Sequence, residues 1–139
     1  MRADATFTVK SFVPAEVTPA FEVTTGAPAG VATMEKLFEG EAAGRSATIF
    51  TSAFDHATGV GTYLALESFE GTLHGREGTF NFAHSASTTG SDRLSPFFVI
   101  VPGSGTGALT GITGAGSLTV DQDGTHRVTF EYELGGAGA

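Results

Sequence analysis

Glu67 and His84 are the residue types from which acid–base chemistry is built, and an antiparallel hairpin would bring them together. Between them runs "ESFEGTLHGREGTFNFAH", in which His74-Gly75 stands between Leu73 and Arg76 as a two-residue turn would. That turn sets a register: Phe69 opposite Phe80, Glu67 opposite Phe82, Ala65 opposite His84, Tyr63 opposite Ala86. Directly opposed residues share a face, so Tyr63, Glu67, Phe69, Phe80, Phe82 and His84 line one side of the ribbon. Glu67 and His84 are then diagonal neighbours, roughly 7–8 Å apart at the backbone and within side-chain reach. A slip of one residue would separate them.

In an aromatic interior, burial raises a carboxylic acid's pKa and a nearby imidazolium lowers it, which is how a general base and acid are tuned. The same two groups would equally well satisfy each other by hydrogen bonding, as buried polar groups must. Both readings stay open. Tyr63 adds a phenol that orients a ligand or fills space. Phe69, Phe80 and Phe82 are expected to wall a pocket, although each contributes roughly 1.5–3 kcal/mol when fully buried, so stability alone also accounts for them. Arg76, just past the turn, is expected to be solvated. The remaining histidines offer less: His56 and His74 are turn residues, and His126 flanks the loop 121–125. No two have metal-ligand spacing. "DQDG" lacks the further acidic ligands and terminal Glu of a calcium loop and is expected to be a hairpin turn. Neither a metal nor a cofactor is expected.

The elements that must position these residues are strands. Apolar residues recur with period two, the spacing of a half-buried strand: Phe7 and Val9, then 31–40, 45–54, 62–73, 79–87, 93–101, 117–121 and 127–134. Val17, Phe21 and Val23 suggest a further strand that Pro19 confines to an edge or a bulge. Residues 55–59 form a turn. The one helical prospect is a short turn around Ala108 to Ile112. Eight or so strands joined by short, glycine-marked connections make an all-β protein, an antiparallel barrel or sandwich.

The glycine-rich "VPGSGTGALTGITGAG", residues 101–116, invites a nucleotide-binding reading and fails it. A phosphate loop needs a Lys beside Ser or Thr at its end, and no Lys follows Lys36. A dinucleotide fingerprint must open a helix, yet Gly111, Gly114 and Gly116 would each cost up to ~1 kcal/mol in one. Small residues instead let a strand bend over a barrel's end, with Leu109 and Ile112 packing inward as a plug.

The seven basic residues are scattered through a chain of net charge −8. Nucleic-acid binding needs clustered positive charge and is excluded. With 40% apolar and 16% charged residues, the 139-residue chain is expected to be globular, as one domain over 1–134 with a flexible tail at 135–139. Cysteine is absent, so disulfides and thiolate chemistry are excluded. No apolar run spans a bilayer or marks a leader, so no membrane partner and a cytoplasmic location are expected.

Three segments carry a resemblance: "YLALESFEGTLHGREGTFNFAHSAS", "VPGSGTGALTGITGAGSLTV" and "HRVTFEYEL". Together they resemble an uncharacterised bacterial family that shares the barrel of the allene oxide cyclases. Gly105, Thr106, Gly107, Leu109 and Gly114 follow a pattern similar to one in those cyclases and in plant dirigent proteins. The resemblance implies an eight-stranded antiparallel, lipocalin-like β-barrel with an apolar cavity and little or no helix, assembled as a homodimer or homotrimer. It implies no particular activity, because fold does not fix function. No residue here matches the cyclase's catalytic motif. The expected function is binding of a small apolar molecule. Glu67 and His84 would be catalytic if the barrel is a cofactor-independent isomerase or cyclase, with Tyr63, Phe69, Phe80 and Phe82 as ligand-binding residues. A binding protein without turnover, or a structural homo-oligomer with Phe97 and Phe98 exposed in its interface, is the alternative.

Overall fold

A computed structural model describes residues 1–135; the tail expected to be flexible lies, beyond Gly135, outside the described residues. Eight strands follow one another: β1 (Arg2–Ala15), β2 (Ala29–Gly40), β3 (Ala42–Asp55), β4 (Val60–Leu73), β5 (Arg76–Thr89), β6 (Leu94–Ile100), β7 (Thr113–Val120) and β8 (His126–Glu133). Each pairs antiparallel with the next, and β8 pairs with β1, closing the barrel. Closure is short at two seams: β6 and β7 pair only at Val99–Ala115 and Ile100–Gly114, and β1 meets β8 only over Arg2–Phe7. Among the described residues no helix is long and apolar enough to cross a membrane.

The alternation seen in the sequence becomes the division between lumen and exterior. In β4, Ala65, Glu67 and Phe69 are buried while Leu64, Leu66, Ser68 and Glu70 are exposed. In β5, Phe80, Phe82, His84 and Ala86 are buried in the same way. The β4–β5 turn sits where expected, with Leu73 opposite Arg76 and Phe69 opposite Phe80. His74 takes a φ of 49° and Gly75 one of 78°, the double left-handed geometry that matches the twist of a two-residue hairpin.

Two expectations are corrected. Residues 16–28 hold no strand, and Val17, Phe21 and Val23 are exposed. β1 already pairs with β2 up to Ala15 opposite Val31, so the residues between them form the connection and have no partner strand. Phe97 does point outward, but Phe98 points into the barrel, its ring stacked 5.1 Å from Phe82. Successive residues of a strand face opposite ways, so the two rings cannot both lie on the outer wall.

The barrel is solid at one end. Phe69, Phe80, Phe82 and Phe130 pack there with ring centroids 5.1–6.3 Å apart, in the tilted and edge-to-face arrangements aromatic rings prefer. Leu73 and Tyr132 lie in the same core, and the glycine-rich stretch covers that end. It makes one 3-10 turn, Gly107–Leu109, and then enters β7. Leu109 and Ile112 are fully buried as the plug. A Cβ on Gly105 would stand 2.0 Å from the Leu109 carbonyl oxygen, so only glycine lets the chain fold back this closely. The stretch opens no helix of the kind that binds a dinucleotide.

Candidate functional site

Away from the plug the lumen turns polar. β2 contributes Lys36, β3 Ser46, β4 Tyr63 and Glu67, and β5 His84, all on the inward set of their strands. Glu67 is 0% exposed, His84 3% and Lys36 5%. Charged groups so buried are tolerated only when paired and hydrogen-bonded, and these are. Lys36 Nζ donates to Glu67 Oε2 at 2.6 Å, and Ser46 Oγ donates to Oε1 at 2.7 Å. His84 Nε2 lies 2.5 Å from Oε2.

The remaining contacts assign the protons. A carboxylate only accepts, so His84 Nε2 carries the hydrogen. Nδ1 of the neutral ring then accepts from the Tyr63 hydroxyl, 2.7 Å away. The Tyr63 oxygen in turn accepts from Arg93 Nη2 at 2.8 Å. The result is one directed chain from guanidinium to phenol to imidazole to carboxylate. The rings are held as tightly as the hydrogen bonds: Phe50 stacks on Tyr63 at 5.5 Å and 11°, while Phe82 and Phe98 each stack on His84 at 5.8 Å.

Charge states follow from this enclosure. Burial pushes the Glu67 carboxyl upward, but the His84 hydrogen bond and the Lys36 charge outweigh it and hold the pKa at about 2. The group is a carboxylate throughout the physiological range. Burial lowers the His84 pKa, against the opposing pull of Glu67, and keeps the ring neutral. Burial raises the Tyr63 pKa, opposed by the Arg93 hydrogen bond and charge. Nδ1 of the neutral imidazole is thus the acceptor for the phenol, and the proton rests on Tyr63.

The hydrogen-bonded chain opens on a pocket of about 250 Å³ at the end opposite the plug. Tyr63, His84, His126, Lys36, Arg93 and Thr119 present the polar side, and Met34, Phe50 and Leu118 are among the apolar walls. Tyr63 and His84 therefore stand where the sequence placed them, on one face with Glu67. Glu67 does not line the pocket; it lies behind His84 with both oxygens engaged. Phe69, Phe80 and Phe82 do not line it either, being packed in the solid half. Phe69 and Phe80 border a separate cleft of about 460 Å³, shared with the exposed Glu35, Ser68 and Glu70.

Sequence reasoning missed three members of the site. Lys36 and Ser46 carried a readable signal, since period-two alternation puts Lys36 on the face of Met34 and Phe38, and Ser46 on that of Thr48 and Phe50. Arg93 carried none: it precedes β6 in an irregular segment and reaches Tyr63 only through tertiary folding. Beside the carboxylate, Thr48 stands opposite Glu67, and its buried hydroxyl has no hydrogen-bond partner among the described residues. Among them, too, no group of three or more His, Asp or Glu side chains is arranged to hold a metal.

Fold and site together define a closed antiparallel β-barrel, solid at one end, with a buried carboxylate–imidazole–phenol chain opening on a small pocket at the other. Over residues 3–132 the chain matches the model of DUF3224, a family of proteins of unknown function, and it belongs to that family. The crystal structure of a DUF3224 protein of unknown function from Shewanella oneidensis MR-1 is similar to it, with a TM-score of 0.82 and 28% identity, covering 97% of this chain and 98% of that one. No curated protein matches the chain.

Proposed function

We propose that the barrel binds a small, mostly apolar molecule in the pocket beneath Tyr63 and moves a proton on it without a cofactor. One observation carries this reading: the Tyr63 phenol faces the pocket while donating to a neutral His84 whose far nitrogen is anchored on an ionised carboxylate. In such an arrangement Tyr63 passes its proton to His84 Nδ1 and its oxygen takes a proton from a carbon of the ligand. Glu67 steadies the imidazolium and Arg93 steadies the phenolate. Return of the proton to a different carbon completes an isomerisation, with nothing consumed. The expected cyclase-like chemistry is the special case in which the walls also hold the ligand folded.

This division of roles gives Tyr63 direct contact with the ligand and makes Glu67 a positioning residue for His84. Native mass spectrometry of the purified protein identifies a retained ligand, and incubation in deuterated water then reads proton exchange on it. Wild type is expected to wash deuterium into the ligand. Tyr63→Phe is expected to retain binding and lose exchange. Exchange at an unchanged rate in Tyr63→Phe removes the phenol from the chemistry, and binding without exchange in the wild type favours a carrier over an isomerase.

A further inference from the structure

Besides His84, three basic side chains line the pocket: Lys36, Arg93 and His126. Lys36 is neutralised by Glu67 at 2.6 Å, and His84 is neutral. Arg93 has no carboxylate partner among the described residues. Its neighbour Asp92 is held instead by Thr88 and Thr89. Neither Asp nor Glu lines the pocket. Arg93 is exposed at the rim of the pocket, and Lys10 and Arg76 likewise have no carboxylate partner among the described residues; what sets Arg93 apart is that it lines the pocket beside Tyr63. Among the described residues only one Arg93 nitrogen is engaged, by Tyr63, and a guanidinium carries five N–H donors in a planar fork that matches a carboxylate.

Size narrows the class further. An apolar cavity of ~150 Å³ holds benzene, so about 250 Å³ takes one ring or a short branched chain with a small substituent. Resting on the pocket reading above, we infer that the ligand is a compact apolar monocarboxylate. Its hydrocarbon part packs against Met34, Phe50 and Leu118, and its carboxylate pairs with Arg93. The pairing also sets the reacting carbon near Tyr63, because Arg93 donates to the phenol and lies over its ring, 5.5 Å from the centroid.

Phenylacetate and its neutral isostere phenylacetamide test this on the full chain, by NMR titration at neutral pH and low salt. Phenylacetate is expected to shift the resonances of Tyr63 and Leu118 and to bind about tenfold more tightly than the amide, the increment of a charge-assisted hydrogen bond. Arg93→Gln is expected to bring phenylacetate down to the affinity of the amide while leaving the amide unchanged. Equal affinities in the wild type, or a preference for the acid that survives Arg93→Gln, overturn the carboxylate assignment and leave the pocket reading standing. Failure of both compounds to move any pocket resonance, up to their solubility, overturns both.

Discussion

Lys36, Glu67 and His84 form a buried cluster in which each residue makes the burial of the others tolerable. Removing one partner of a buried ion pair leaves an uncompensated charge, so Lys36→Met is expected to cost about 3–5 kcal/mol, read from the denaturant midpoint. Acid should act on the same cluster. His84 has its pKa lowered from 6.5 by folding, so below pH ~6.5 the unfolded chain binds the proton first and stability falls. That contribution levels off once the folded ring is also protonated. Glu67, lowered from 4.5 to about 2, adds a second loss as pH falls from about 5 toward 2. Stability should thus be flat between about pH 7 and 9, below the range in which tyrosine ionises, and decline in two stages on acidification. His84→Gln should abolish the upper stage in urea melts taken across that range. Thr48 is the opposite case. Its unpartnered hydroxyl costs free energy in the folded state, so Thr48→Val is expected to be neutral or to stabilise by up to about 1 kcal/mol. A clear loss of stability would mean that the hydroxyl has a partner.

At the scale of elements, the strands supply alternation and the glycine-rich connection supplies closure. The period-two pattern made seven of the strands legible to within a few residues, and the β4–β5 register followed from one turn because the side-chain period allows no slippage. The exception was the segment around Pro19, where apolar spacing existed without a partner strand. Closure depends on the chain folding back at Gly105, where the Leu109 carbonyl leaves no room for a side chain. Gly105→Ala is expected to destabilise by about 3 kcal/mol, the upper end for overpacking. Gly26→Ala, with nothing within 4 Å, is expected to be neutral in the same thermal denaturation series.

As a whole the molecule divides its labour along the barrel axis. The plugged end is a close-packed aromatic core, and the other end carries the hydrogen-bonded chain and the pocket. Substitutions in the two halves should therefore have separable effects. Phe80→Ala opens a cavity in the solid half and is expected to cost about 3–5 kcal/mol while leaving the phenylacetate shifts at Tyr63 and Leu118 in place. Tyr63→Phe keeps the ring on Phe50 and is expected to change stability by less than about 1.5 kcal/mol, its effect falling on proton exchange instead. Destabilisation by both variants, with loss of the pocket shifts in both, would show that the halves are one cooperative unit with no separate site.

What the amino-acid order determined by itself was local and periodic: where eight strands run, which residues of β4 and β5 face inward, and that Glu67, His84 and Tyr63 share a face. Those properties follow from a side-chain repeat of two and from one tight turn, and both act over a few residues. Only the closed barrel decided the rest. It set Lys36 and Ser46 from other strands on the two oxygens of Glu67, and it brought Arg93 from an irregular segment onto Tyr63. It also let Phe69, Phe80 and Phe82 fill one end so that the pocket formed at the other. Filling and pairing across strands depend on the volume and charge of side chains distant in sequence, and no local pattern carries that information.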